Sequence, residues 1–570
     1  MKTDMADKIS GGEALIQSLL HQGVDTVFAY PGGTIIRVFD ALYDHRSDLR
    51  QILVRHEQGA THAAQGYARV SGRTGVAIVT SGPGATNTIT GISDAMLDST
   101  PIVVIAGQVG TDALGTDAFQ EIDLVGVTQP ITKWSYQIRR AEDIPWAVAR
   151  AFYIAGSGRP GPVVLDFTKT AQMAQIEYTP ASIDYVRSYI PSPDPDMSQI
   201  EAAAELIDKA EKPLVLVGHG VELGNAEEEL REFIEKADIP AARTLLGLSA
   251  LASDHPLNMG MLGMHGNLAP NVKTNQCDVL IAVGMRFDDR VTSDVNTYAR
   301  QARIIHLDID KSEFCKNVKA DVTVLGDCKK TLKLITGRIS KSSHRQWIES
   351  FRPLADEENA KVIENAIHPK DGPLLMGEVV TAASDMAPDN TVMVNDVGLN
   401  QMFSSRYFKY RMPRSIVTSG GLGTMGFCLP AAIGATFGAP GRPVLAFEGD
   451  GGFQMNIQEL GTVMETGAPV KIILMNNNYL GNVRQWQQLM YHKRYSCTRM
   501  LSPDYSMIAR AYGIPYRLVT DRADLVAAVK LMFETDGPFL LEAAVMDEEN
   551  VMPMIPARTP VDKMIFTIDQ

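Results

Sequence analysis

At 570 residues the chain is too long for one ordinary hydrophobic core, and length alone allows roughly three or four domains of ~150 residues. With 45% apolar and 21% charged residues it reads as a soluble globular enzyme, and a net charge of −14 without a basic run argues against a polyanionic partner such as nucleic acid. The five cysteines are scattered and never in Cys-x-x-Cys spacing, so neither a disulfide framework nor a zinc site is indicated, and a reducing cytoplasm fits best. Met1 to Ile9 carry mixed charges, and no apolar run approaches the ~18 residues that span a bilayer, so no signal, transit or membrane segment is expected.

The chain opens with a predicted helix: Ser10 and Glu13 have capping-box spacing, and Leu15, Ile16, Leu19 and Leu20 form an apolar stripe that stops at Gly23. Val24 to Ala29 reads as a buried strand. A second short strand then leads through Val54-Arg55-His56 to Glu57, where a helix of small residues begins. Further apolar strands (Gly75 to Val79, Ile102 to Ala106, Val163 to Phe167) alternate with helical segments, the pattern of a parallel α/β sheet. Three prolines and two aspartates between Pro191 and Met197 mark a linker.

A second α/β unit starts with a helix near Ser198 to Ala210 and the strand Pro213 to Val217. The charged stretch from Lys341 to Lys370, with Asp356-Glu357-Glu358, reads as an exposed helix and connector. The expected organisation is therefore three α/β domains at 1–190, 198–340 and 373–546, with a connector at 341–372 and a tail at 547–570. Thr418-Ser419-Gly420-Gly421 echoes Thr80-Ser81-Gly82-Pro83, a hint of two related halves around a middle domain.

In the third unit the strand Val444 to Phe447 delivers Asp450 into a glycine turn, Gly449-Asp450-Gly451-Gly452, with a helix expected beyond Gly452. One helix later, the strand Val470 to Leu474 delivers Asn476-Asn477. One carboxylate, one amide oxygen, a backbone carbonyl, two phosphate oxygens and a water would give Mg²⁺ its six ligands, and the glycines would let the backbone approach a diphosphate. A lone Gly-Asp-Gly is ordinary loop punctuation. With the Asn pair after the second strand, the 27-residue spacing resembles the thiamine diphosphate (ThDP) motif. Enzymes of that kind need a carboxyl group in a dry pocket at the cofactor's pyrimidine nitrogen, and Glu57 fits, although a carboxylate in the first turn of a helix is also favoured by the dipole alone.

Over the whole chain, order and motifs resemble the acetolactate synthase (acetohydroxyacid synthase) family, specifically the FAD-containing catalytic large subunit. The resemblance implies three doubly wound parallel-sheet domains, the pyrimidine-binding domain first, a FAD-associated domain second and the diphosphate-binding domain third. ThDP would then be shared between two subunits of a homodimer or tetramer, with a small regulatory subunit as partner. It implies ThDP contacts from Pro31, Gly32, Glu57, Gly423, Met425, Gly449, Asp450, Gly451, Gly452 and Asn477, and Mg²⁺ held by Asp450, Asn477 and Tyr479. Met425 matches the apolar wedge that bends the cofactor. Gln120, Phe119 and Lys169 match residues at the active centre and its channel, with Pro101 and Ala118 at the mouth. Trp486 matches the residue over the second-substrate pocket. For FAD the matching residues are Gly263, His265, Gly266, Gly284, Arg286, Asp288 and Arg290, with Arg159, Asp308 and Asp327 as further contacts. By residue type alone, Met425, Phe119 and Trp486 would be core residues and Lys169 surface.

The chain departs from the family pattern at Thr34 (alanine), Thr168 (proline) and Asn482 (methionine), which leaves inhibitor fit and acceptor preference open. The implied reaction is decarboxylation of pyruvate and condensation with a second pyruvate or 2-oxobutanoate, giving the branch-point acids of valine, leucine and isoleucine synthesis, with FAD structural. Two alternatives stay open: a FAD-dependent pyruvate oxidase, and a non-catalytic scaffold that keeps the fold.

Overall fold

Aliphatic runs without polar alternation, such as Val279-Leu280-Ile281-Ala282-Val283, form strands buried on both faces, as parallel sheets covered by helices require. The structure, a computed structural model, describes residues 8–568 and builds three six-stranded parallel sheets from them. The outermost residues of the expected first domain and of the expected tail lie outside the described residues.

The first sheet contains β1 (Thr26–Ala29), β2 (Arg50–Leu53), β3 (Gly75–Val79), β4 (Ile102–Gln108), β5 (Trp134–Ile138) and β6 (Val163–Thr168), in the order β2-β1-β3-β4-β6-β5. The central sheet contains β7 (Pro213–Val217), β8 (Ala241–Arg243), β9 (Asn258–Met261), β10 (Val279–Val283), β11 (Arg303–Asp308) and β12 (Val322–Leu325), ordered β9-β8-β7-β10-β11-β12. That is the 3-2-1-4-5-6 order of dinucleotide-binding folds. The third contains β13 (Val392–Asn395), β14 (Ile416–Thr418), β15 (Val444–Gly449), β16 (Val470–Asn476), β17 (Tyr516–Val519) and β18 (Phe539–Ala544), ordered β14-β13-β15-β16-β18-β17. First and third sheets thus share one permutation, 2-1-3-4-6-5. The short echo between residues 80–83 and 418–421 is out of register with it, because Thr80 follows the third strand of its sheet and Thr418 ends the second of its own.

The chain clusters into two compact units. One gathers residues up to Ile190 with Ser419–Val444 and Phe453–Val470; the other gathers Pro191–Thr418, Leu445–Gly452 and the chain from Lys471 onward. In the first unit, helix α1 (Gly11–His21) is capped by Ser10, whose hydroxyl accepts the Glu13 amide. Glu13 does not return the bond; its carboxylate is engaged by Gln17 and His45. Helix α2 (Glu57–Ser71) is buried from Gly59 to Val70, which its glycines and alanines permit. It crosses a helix from late in the chain, α4 (Cys428–Gly438), with reciprocal glycines at the crossing. A Cβ on Gly66 would stand 1.9 Å from the Ala431 carbonyl oxygen, and one on Gly434 1.8 Å from that of Ala63. Helix α3 (Ile89–Leu97) lies between α2 and α4 in chain order and packs on α2.

In the second unit the expected connector folds into short helices, Arg345–Glu349, Arg352–Glu358 and Glu364–Ile367. It is not the uniformly exposed segment its charge predicts. Trp347 and Phe351 are buried, and so is Glu358, which pairs with Arg406 and accepts the Leu268 amide at 2.7 Å. No described helix is long and apolar enough to cross a membrane. All five cysteines are free thiols.

Candidate active site

In the first unit the candidate residues leave the C-terminal ends of neighbouring strands, where open α/β sheets bind ligands. Pro31 and Gly32 follow β1, Glu57 follows β2, and the Thr80–Gly84 loop follows β3. A side chain at residue 32 would run into Thr80, its Cβ 2.5 Å from the Thr80 hydroxyl, so glycine sets the closeness of these loops. Glu57 is the first residue of α2 and only 9% exposed. Asn87 Nδ2 donates to its Oε2 at 2.9 Å, and Gly84 leaves room beside Oε1.

Gln120 has φ +61° and lies against Gly82, whose Cβ would be 3.0 Å from the Gln120 Cα. Its neighbour Phe119 is 87% exposed, the reverse of the core placement its residue type predicts. Lys169 is exposed at the end of β6, as its type predicts. Thr168, standing where the family pattern has proline, caps the helix Lys169–Met173 and donates to the Ile138 carbonyl at 2.9 Å. Thr34 donates to Ser81 Oγ at 2.9 Å and accepts the Ser81 amide at 3.1 Å, tying the β1 loop to the β3 loop. Arg159 Nε donates to Ser99 Oγ at 2.9 Å. The Ser419–Gly426 segment of this unit carries Gly423, with φ +71°, and a half-buried Met425.

In the second unit β15 ends at Gly449 and a helix begins at Asp450 itself, earlier than predicted, so Gly451 and Gly452 lie in its first turn. A 3₁₀ turn and a further helix, Leu460–Thr466, precede β16, where the sequence reading expected one helix. A Cβ on Gly452 would fall 1.7 Å from Asp396 Oδ2, so only glycine fits. Burial is the main reason the Asp450 carboxyl is pushed up to about 6, partly offset by a hydrogen bond from Ser502 to its Oδ2.

Asn477 donates through Nδ2 to the Asp547 carbonyl at 3.3 Å. Its amide oxygen then faces Asp450 Oδ1 at 3.3 Å and the Tyr479 carbonyl at 3.0 Å. Three oxygens converging in this way repel unless the amide turns over to donate to both neighbours or a cation sits among them. Among the described residues no cluster of three or more His, Cys, Asp or Glu marks a metal site. One carboxylate with two neutral oxygens instead suits a hard divalent ion that keeps further oxygen ligands from phosphate and water.

Helix α5 (Gly481–Tyr491) carries Asn482 and the half-buried Trp486. Its anchor is Arg484, a fully buried guanidinium that donates to Gln488 Oε1 at 2.7 Å, to Asn550 Oδ1 at 2.8 Å and to the Glu549 carbonyl. Gln485 pairs with the backbone of Val551, so the chain after Asp547 straps this helix.

Most of the FAD candidates lie at the ends of central-sheet strands: Gly284 to Arg290 follow β10 at its switch point with β7, Gly263 to Gly266 follow β9, Asp308 ends β11 and Asp327 follows β12, whereas Arg159 belongs to the first unit. Gly284 (φ +57°) follows β10 and lies against Gly220, 2.6 Å from where its Cβ would stand. Gly263 (φ +101°) lies under the Arg290 carbonyl, which accepts the Met264 amide at 2.7 Å, and Gly266 folds back on Met261. His265 is buried, and that burial, with Arg406 and Arg290 nearby, holds its imidazole down to about 3, neutral at any working pH. Asp288 caps the turn that carries Arg290, and Arg286 lies 3.7 Å from it. Asp308 ends β11 and accepts the Asp310 amide, while Asp327 caps the helix Cys328–Thr336.

Sequence reasoning missed Asn87, Asp396 and Ser502, single polar residues without a motif around them. It also missed Gly218 and Gly220, whose signal was legible: a Gly-x-Gly directly after the apolar strand Pro213–Val217.

Family models for thiamine pyrophosphate enzymes match along the chain, the N-terminal TPP-binding domain at residues 9–127, the central domain at 200–335 and the C-terminal TPP-binding domain at 396–543. The acetolactate synthase isozyme 2 large subunit of Escherichia coli (strain K12) is 43% identical over 561 residues, covering 98% of this chain and 99% of the relative. The acetolactate synthase large subunit of Lactococcus lactis subsp. lactis (strain IL1403) is 40% identical over 99% of this chain and 97% of its own. A probable acetolactate synthase large subunit of Methanocaldococcus jannaschii is 43% identical over 96% and 94%. The chain belongs to the thiamine pyrophosphate enzymes and, within them, to the family of acetolactate synthase large subunits.

Proposed function

We infer that the protein is a carboligase that decarboxylates pyruvate and joins the remaining two-carbon unit to a second 2-oxo acid. Pyruvate as acceptor gives 2-acetolactate, and 2-oxobutanoate gives 2-aceto-2-hydroxybutanoate. One observation carries this reading: similarity to acetolactate synthase large subunits runs nearly end to end along the chain. Thiamine diphosphate, when bound, supplies the electron sink that accepts the pair released as CO₂ leaves.

In this reading Glu57 holds a proton at the cofactor's pyrimidine nitrogen, with Asn87 fixing its second oxygen in a site that excludes water. Asp450, Asn477 and the Tyr479 carbonyl hold Mg²⁺; the closeness of the Asn477 amide to Asp450 Oδ1, 3.3 Å, and to the Tyr479 carbonyl, 3.0 Å, supports that role. Gly449, Gly451 and Gly452 let backbone approach the diphosphate, Met425 wedges the cofactor, and Gln120, Phe119 and Lys169 meet the substrate. Trp486 offers an apolar face to the acceptor, which favours 2-oxobutanoate by burying one more methyl group.

FAD is proposed as a structural cofactor of the central sheet. The 3-2-1-4-5-6 order, the glycine-lined switch point and the arginines beside it support this. A homodimer or tetramer, a small regulatory subunit and a cytoplasmic location complete the proposal.

The test is direct product analysis of purified protein with ThDP, Mg²⁺, FAD and pyruvate, with and without 2-oxobutanoate. Both acetohydroxy acids are expected, the mixed product in excess. Acetate with flavin reduction would replace this reading with that of a pyruvate oxidase.

A further inference from the structure

Two carboxylates one helical turn apart are buried in the first unit at a place the proposed chemistry does not use. Asp94 lies in α3 and Asp98 caps its C-terminus; their exposures are 0% and 1%. Every partner of Asp98 is a donor. Arg69 Nη2 and the Gly420 amide bind Oδ2, each at 2.8 Å, and the Gly421 amide binds Oδ1 at 2.7 Å. Asp94 Oδ1 accepts the Ser419 hydroxyl and the Thr424 hydroxyl, the latter at 3.0 Å, while Ser419 Oγ accepts the Thr424 amide at 2.8 Å. Just beyond, Asn456 Nδ2 donates to the Gly426 carbonyl at 2.6 Å.

Burying two carboxylates is expensive unless donors surround them, and this pair has one cation and a ring of loop donors. Burial, with Asp98 beside it, pushes the Asp94 carboxyl well above the usual carboxylate range, which the hydroxyls of Ser419 and Thr424 partly offset. The segment so held, Ser419-Gly420-Gly421-Leu422-Gly423-Thr424-Met425, contains three glycines and has no regular structure of its own. Left alone, such a stretch samples many conformations. The clamp grips residues 419–421 and 424 and leaves Leu422 and Gly423 exposed and Met425 half-buried.

We propose that Asp94 and Asp98 are positioning residues that fix the Ser419–Met425 loop in the one conformation that presents Gly423 and Met425 to thiamine diphosphate. The inference rests on the ThDP role proposed for those two residues. Neither aspartate touches the cofactor in this scheme; both act through the loop.

The test compares wild type with Asp98→Asn, Thr424→Val and Thr424→Ser. ThDP affinity is read with Mg²⁺ by quenching of intrinsic fluorescence, kcat and the pyruvate KM at saturating ThDP, and Tm without cofactor. Asp98→Asn turns an acceptor into a donor facing an amide. It is expected to weaken ThDP binding about 10- to 100-fold and to lower kcat by a similar factor, as lost orienting contacts do, with pyruvate KM within about two-fold of wild type. Thr424→Val is expected to weaken binding by about 3- to 10-fold with Tm within about 3 °C, and Thr424→Ser to restore it. Wild-type ThDP affinity and kcat in Thr424→Val overturn the proposal, even if Asp98→Asn fails to fold. A lowered Tm in both variants with unchanged affinity and kcat makes the clamp structural only and overturns it too. If wild type itself binds no ThDP, the assigned function falls and this inference falls with it; if wild type binds and the variants bind equally, only the inference falls.

Discussion

The first and third sheets have the same strand permutation, yet corresponding strands deliver different chemistry. After the second strand the first sheet places Glu57 directly at a helix start, while the third inserts the glycine-rich loop with Met425 before its helix. After the third strand the first sheet has the neutral Thr80–Gly84 loop, while the third has the buried acid Asp450. At the end of the fourth strand the third sheet adds the two amides of Asn476 and Asn477. In the proposed reading one framework serves two ends of a cofactor. The neutral, hydroxyl-lined loops with a single carboxylate suit a proton-sharing heterocycle, and the acid with two neutral oxygens suits a cation and phosphate. Strand order sets where the loops emerge, and a few residues in each loop decide what they bind.

The sharpest way to break the comparison is to remove its acid from each half. Glu57→Gln keeps size and the helix start but cannot share a proton with the pyrimidine nitrogen. Hydrogen–deuterium exchange at the thiazolium carbon of bound ThDP is expected to slow by about 10²–10⁴-fold, with ThDP affinity little changed. Exchange as fast as wild type would remove Glu57 from its role. Asp450→Ala has the opposite signature: a Mg²⁺ requirement raised by about 100-fold or more at fixed ThDP, and exchange restored at saturating metal. If both variants fail at the same step, the two halves do not divide the work in this way.

The crossing of α2 and α4 tests the shared framework. Gly434→Ala puts a methyl group 1.8 Å from the Ala63 carbonyl oxygen, with both helices buried and unable to yield. A loss of about 1–3 kcal/mol or more in stability is expected, measured by urea unfolding of the cofactor-free protein. Gly337→Ala, at an exposed position with φ −65° and no atom closer than 3.4 Å to the new Cβ, serves as control for handling. A smaller and purely selective effect is expected from Trp486→Leu. Trimming the apolar face changes the ratio of mixed to homogeneous product by about 10-fold in competition assays, without abolishing either.

Much of this was legible in the sequence for identifiable reasons. Parallel strands buried on both faces announce themselves as aliphatic runs, so Gly75–Val79 and Pro213–Val217 begin and end where predicted. Strand order is not legible, because pairing between β1 and β3 or between β15 and β16 depends on contacts distant in sequence. For the same reason the two related halves were visible only as an echo that proved out of register. Glu358 shows the limit of charge as a guide: its neighbours Asp356 and Glu357 are exposed, but a buried Arg406 some fifty residues later draws Glu358 inside. The candidate site was found through Gly-Asp-Gly, the Asn pair and the whole-chain resemblance. Asn87, Ser502 and the Asp94–Asp98 pair carry no local signature, since each acts on a segment far along the chain.

The central sheet supplies the control for both halves, a buried carboxylate with no proposed chemistry. Glu222 follows β7, accepts the hydroxyl of Ser249 and the Arg414 amide, and is pushed by burial up to about 7. Between the unfolded value near 4.5 and 7 the folded protein holds a proton that the unfolded chain has released. By linkage this group makes the fold more stable as pH falls through that window, and the gain is gone above pH 7, where the folded protein must ionise a buried acid. Glu222→Gln removes the titration. Relative to the variant, wild type is expected to gain about 2 °C in Tm on going from pH 8 to pH 5.5 at one scan rate, while kcat and ThDP affinity stay those of wild type. A variant that tracks wild type at both pH values would mean that Glu222 is already screened by Arg414. A variant that lost ThDP binding would extend the carboxylate comparison to all three sheets.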